Sequence, residues 1–90
     1  MVPYGYKIVN GSAAVDEPAQ KKIQLLFQHY LAGKSLSKAG REAGIHAPHG
    51  MVAKMLSNQH YLGDAFYPQL IDKSVFEKAA MERKYRAEKL

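Results

Sequence analysis

Ser35 to Leu56, SLSKAGREAGIHAPHGMVAKML, reads as two short helices broken by a turn. Ser35 is a good N-cap, because a hydroxyl there accepts from a free amide of the first turn. Leu36, Ala39, Gly40 and Ala43 recur on one small apolar face, and Gly44 supplies the positive φ that closes a helix. Ile45 then plugs into the core. Pro48 opens a second helix, since its missing N–H falls where a helix has no partner for it, and Val52, Met55 and Leu56 return at three- and four-residue spacing. The outline, over residues 35–57, is a helix-turn-helix. Small residues at the crossing let the two helices approach closely. The second helix keeps an outward face of His49, Gly50, Ala53, Lys54 and Ser57, shaped to enter a major groove. Two packed helices with no ligand are the plain alternative, because helix pairs of this shape are common.

Ninety residues allow one small domain, which buries only roughly 60–65% of its unfolded surface and so needs an efficient core. Hydrophobic residues make up 47% of the chain, spread along its length except for the polar last ten positions, and that supports an ordered globule. With no cysteine, disulfides and thiolate metal sites are excluded, which fits a reducing cytoplasm. No apolar run approaches the ~20 residues of a membrane span, and Met1 to Lys7 lacks the regions of a secretory signal. The expected location is cytoplasmic, nucleoid-associated when DNA is bound, with no membrane partner. Thirteen Lys and Arg against eight Asp and Glu give +5 and a pI near 9.5. A polyanion is a reasonable partner for such a chain.

Outward from the central pair, the segment from Tyr4 to Val15 predicts a hairpin about Asn10-Gly11, both positions tolerating φ > 0. Tyr6, Ile8 and Ala14 are expected on one face, with Val9 and Val15 unplaced. A core helix over 17–32 begins at Asp16 or Glu17 with Pro18 in its first turn. Ala19, Ile23, Leu26, Phe27, Tyr30 and Leu31 form its stripe, and Gly33 stops it. Beyond the helix pair, Tyr61 to Tyr67 alternates as a strand ended by Pro68, the natural third strand for the hairpin. Asp72 or Ser74 then caps a last helix over 73–88, where Ser74-Val75-Phe76-Glu77 also fits a capping box. Phe76, Ala79 and Ala80 are its docking face. Past Met81 the mixed charges suit an exposed, fraying end.

Chemistry is sparse. The serines are explained by turns and caps, none at a strand-to-helix elbow, so no nucleophile with its base can be assembled. His46, His49, His60 and Asp64 have no metal-binding spacing of the HExxH kind. Gly40, Gly44 and Gly50 are spaced wrongly for a nucleotide fingerprint. No cofactor and no catalysis are expected. Electrostatics remain: Lys34, Lys38 and Arg41 flank the first helix of the pair, where they would straddle phosphates, while His46, His49 and Lys54 mark the second.

Several blocks together resemble a known family. PYGYKIVNG, then FQHYLAGKSL, EAGI, MLSNQHYLGDAFY and IDKSVFEKA are similar, in that order and spacing, to the recombinase domain of large serine recombinases. The matching pieces there are a Pro-aromatic-Gly-Tyr opening, an aliphatic-aromatic helix running into Tyr-x-x-Gly-x-Ser, and an Ile-Leu-x-Asn-x-x-Tyr-x-Gly strand entry. The resemblance covers Pro3 to Ala80. It implies a DNA-binding module that lies between a catalytic serine domain and further DNA-binding elements, with Pro48 to Ser57 as recognition helix and Lys34 to Arg41 as its backbone-contacting partner. The catalytic Tyr-x-Arg-x-Ser motif is absent, so strand cleavage is not assigned to this chain. Two departures stand out. Only His46 to Gly50 lies between the Gly-Ile turn and the recognition helix, where the family commonly has a longer basic segment, and that helix carries one lysine and no arginine.

The expectation is therefore an α+β domain, mostly helical, with a helix-turn-helix core and a three-stranded antiparallel sheet. Its expected role is that of a non-catalytic double-stranded-DNA-binding module related to site-specific recombination. A recombinase catalytic domain and self-association are the further partners considered. Phosphates would meet Lys34, Lys38, Arg41 and Lys54; bases would meet His49, Gly50, Ala53 and Lys54, with His46 and Ser57 at the margins. About four neutralised phosphates give a slope of log affinity against log salt near −3.6. The alternative is a protein-interaction module that uses Tyr61 to Tyr67 as a sheet edge or the last helix as a docking arm.

Overall fold

Asn10 and Gly11 both adopt positive φ, 51° and 79°, the geometry of a two-residue hairpin turn that follows strand twist. They fold β1 (Tyr6–Val9) onto β2 (Ser12–Val15), antiparallel, with Tyr6 opposite Val15 and Ile8 opposite Ala13. The structure is a computed structural model that describes residues 2–89. The register places Val15 and Ala13, not Ala14, on the face of Tyr6 and Ile8. Only the end of the hairpin nearest the helices is covered: Tyr6 is buried and Val15 packs on the core, whereas Ile8 and Val9 are exposed.

Asp16 caps α1 (Glu17–Leu31), accepting from the Ala19 amide at 3.3 Å. Ala19, Ile23, Leu26, Phe27 and Tyr30 form its buried stripe, and Leu31 falls outside it. Ser35 caps α2 (Leu36–Glu42) by accepting from the Lys38 amide. Gly44, at φ 82°, reverses the chain, and Ile45 is buried. α3 (His49–Leu56) follows with Pro48 at the cap position and Val52, Met55 and Leu56 inward. α4 (Lys73–Glu88) packs across α1 and touches α3. Asp72 holds its cap position without a side-chain bond, and Ser74 lies inside the helix, so the Ser74 capping box does not form.

The sheet has two strands, not three. Residues 59–62 form a 3₁₀ turn, and the run that alternates like a strand doubles back instead of extending. Three local bonds cause this. Asn58 Oδ1 accepts from the His60 amide, Gly63 turns with φ 88°, and Asp64 Oδ1 accepts from the Phe66 and Tyr67 amides at 2.9 and 2.7 Å. Side chains that bond nearby amides compete with a ladder. The Tyr61 carbonyl instead accepts from Leu70 and Ile71.

Tyrosine hydroxyls replace the missing ladder. Tyr6 Oη lies 2.7 Å from the His60 carbonyl and 2.6 Å from that of Pro68, which share its one proton. Tyr61 Oη donates to the Tyr4 carbonyl at 2.7 Å. Burial pushes both phenols up to about 12, so they remain donors. One continuous core results, running from Tyr6 and Tyr61 through Ile23, Leu26 and Phe27 to Val52, Leu56 and Phe76.

The end of α4 is not a loose tail. Arg86 Nη2 donates to the Tyr30 carbonyl at 2.8 Å, Nη1 to the Lys34 carbonyl at 2.9 Å, and Nε to Glu82 at 2.6 Å. The Tyr30 carbonyl also accepts from the Gly33 amide at 3.1 Å, so the guanidinium adds a charged donor at the negative end of α1 and ties it to Lys34 in the link to α2.

Candidate nucleic-acid interface

Gly40 is where α2 and α3 cross. A β-carbon at this position would stand 3.3 Å from both γ-methyls of Val52, so a residue without a side chain sets how closely the helices meet. Val52, Met55 and Leu56 are thereby turned inward, and His49, Gly50, Met51, Lys54 and Ser57 are left exposed, with Ala53 half-covered. α3 contains no acid.

The nine candidate residues fall into separate groups around this helix. Arg41, His46 and His49 come together, with Ser37, about a hollow of 200 Å³ between the two helices. His49 Nδ1 lies 3.3 Å from Ser37 Oγ, which steers the imidazole toward the α2 side. Arg41 is exposed and has no ion-pair partner among the described residues.

Lys34 and Lys38 belong to a different arrangement. Both face Glu42, at 2.5 and 3.9 Å, and Lys34 Nζ also lies 3.0 Å from His29 Nδ1. An ammonium can only donate, so Nδ1 accepts and the ring proton of His29 sits on Nε2. The hydrogen bond from Lys34, aided by the charges of Lys34 and Lys38, holds the Glu42 carboxyl below its usual range. One carboxylate thus faces two of the four cations expected to meet phosphate, which is the main electrostatic difference from the sequence reading.

Lys54 and Ser57 line the other flank of α3. A groove of 560 Å³ runs there between α3 and the N-terminal segment, bounded by Val2, Tyr4, Met51, Lys54, Asn58 and Tyr61 among others. Its lining holds one cation and no acid. Ser57 turns its hydroxyl back onto the Ala53 and Lys54 carbonyls, as serines at helix ends do. Gly50 and Ala53 lie between the two flanks, three residues apart on one face.

Two contributors escaped the sequence reading. Met51 is 52% exposed although its spacing allows a core position, and only its offset from Val52, Met55 and Leu56 on the helix signals this. The Lys22 stem crosses the turn between the helices, with Cε 3.6 Å from where a β-carbon of Gly44 would lie. Helical spacing in α1 puts Lys22 beside the stripe, but nothing in the sequence says that Gly44 arrives there.

His60 and Asp64 stand apart from α3 as a pair at 2.9 Å. Backbone donation from Tyr67, then the His60 side chain and the Phe66 amide, pull the Asp64 carboxyl down to about 2. Among the described residues, no three His, Asp or Glu side chains are grouped to hold a metal, and no helix is long and apolar enough to cross a membrane. No known protein family, curated protein or solved structure matches the chain.

Proposed function

We propose that the chain is a non-catalytic module that binds duplex DNA, with α3 in the major groove and Arg41, Lys54 and Lys22 meeting phosphates beside it, in a role related to site-specific recombination. The observation that carries this reading is the exposed, acid-free face of α3, held outward by the Gly40–Val52 crossing. Phosphate contact supplies affinity and register, whereas groove contact supplies discrimination. Lys34 and Lys38 form a second rank that reaches phosphate only by leaving Glu42. The order of motifs that resembles the recombinase domain supports the recombination context.

The test is fluorescence anisotropy of a labelled random duplex at two salt concentrations, with Lys54→Ala alongside. Three uncommitted cations on phosphate give a slope of log affinity against log salt of about −2.7. Lys54→Ala weakens binding and leaves the melting temperature unchanged, because Lys54 is exposed. A slope near zero contradicts the arrangement.

A protein-interaction role finds support in Met81 and Tyr85, four residues apart and exposed on α4. It predicts self-association or capture of a partner, with no salt-steep DNA binding. The segment from Tyr61 to Tyr67 offers it no sheet edge, since no strand forms there.

A further inference from the structure

Gly50 is a glycine the fold does not require. Each of the other six either has a positive φ or, at Gly40, abuts Val52. Gly50 has neither property: a β-carbon there would meet nothing within 4 Å, and the residue lies exposed in the first turn of α3. Glycine weakens a helix relative to alanine, through the freedom its backbone loses on folding. The first turn thus gives up stability to keep its outward face bare.

The helical neighbours of the gap are the residues one turn on, Ala53 and Lys54. Ala53 lies one turn on along the same face, and Met51 stands on the groove side with half its surface free. α3, HGMVAKML, has no Arg, Asn, Gln, Asp or Glu to pair with base edges, and its one Lys, Lys54, is the phosphate contact of the reading above. It offers bare backbone and apolar surface, with Lys54 near enough to hold a phosphate. The apolar feature of the major groove is the 5-methyl group of thymine.

We infer that the outward face of α3 reads thymine by its methyl group, which enters the gap over Gly50 between Ala53 and Met51. This rests on the DNA-binding reading above. Gly50 is then a specificity residue whose missing side chain makes room for the base substituent. Met51 covers the open side, its flexible thioether chain moulding to the methyl.

Anisotropy titration of the full chain tests this with four short duplexes: alternating A·T, the same with deoxyuridine for thymidine, alternating G·C, and the same with 5-methylcytosine. The methylated member of each pair binds more tightly, by about fourfold for each methyl covered. Gly50→Ala fills the gap, so it abolishes the thymine-to-uracil ratio and raises the melting temperature while salt-steep binding persists; Met51→Ala lowers the ratio. Equal affinity for thymine and uracil duplexes, with salt-steep binding intact, overturns the methyl reader and leaves DNA binding standing. Failure to bind any of the four at low salt overturns both.

Discussion

The guanidinium of Arg86 lies 4.0 Å from the centre of the Tyr30 ring and donates to the carbonyl of the same residue. Through Lys34 it also grips the chain just before the Ser35 cap. The last turns of α4 therefore fix where the helix-turn-helix starts. A cation over an aromatic face and charge-assisted bonds to carbonyls stabilise by about 1–3 kcal/mol together at a partly exposed site.

Arg86→Ala is expected to lower stability by about that amount, and Arg86→Lys to restore little of it, because an ammonium cannot bond two carbonyls while lying flat on the ring. Denaturant unfolding of the three proteins checks this. Equal stability of the lysine variant and the native chain would mean that only the charge matters.

Gly40→Ala and Gly50→Ala place the same methyl on adjacent helices and are expected to change stability in opposite directions. At Gly40 the methyl meets both γ-carbons of a buried valine, so rotating Val52 cannot relieve it. Overpacking there costs about 1–3 kcal/mol, offset only in part by helix propensity. At Gly50 the gain is about 0.5–1 kcal/mol. Thermal unfolding of both variants decides the matter; a stabilised Gly40→Ala would show that the crossing is slack.

Glu42→Gln releases Lys34 and Lys38 from their shared carboxylate. DNA affinity at low salt should rise, and the salt slope should steepen by about one further phosphate contact for each lysine engaged. An unchanged slope would place both lysines off the DNA path.

Asp64 anchors the doubled-back loop through two amides and His60. Its folded value, about 2, lies below the ordinary 3.8, so the stabilisation is complete above the unfolded value and disappears as pH falls through the folded one. The difference in melting temperature between the native protein and Asp64→Asn should accordingly be steady near pH 5 and shrink from about 4 down to about 2. A difference that does not change across that range would show that the loop holds its shape without the charge.

Much of this fold is legible in residue order. Asn10-Gly11 marks the hairpin, the stripe from Ala19 to Tyr30 marks the core helix, and Gly40, Gly44 and Ile45 mark the helix pair, because each depends on local backbone preference or periodicity. The segment after Tyr61 misleads because its alternation is genuine while Asn58, Gly63 and Asp64 supply competing local bonds. Arg86 could not be placed either: a charged residue on a polar helix end shows nothing of the distant carbonyls it finds. Charge and helical phase mark the nine interface candidates, and these locate faces but not partners. Glu42 was the missing piece, since a carboxylate between two lysines is only a composition fact until the helix turns bring them together.

The tyrosine exchange joins positions more than fifty residues apart, Tyr6 to His60 and Tyr61 to Tyr4. Closing so long a loop loses chain entropy before any contact rewards it. The contacts of α1 with α2 and of α2 with α3 are nearer in sequence, so these three helices can assemble first and offer the surface on which the hairpin docks. Removing either hydroxyl should therefore speed unfolding far more than it slows folding. A hairpin that docks last and leaves first would carry with it Val2 to Tyr4, the segment before β1, and so uncover one wall of the groove beside α3 while the helix pair still stands.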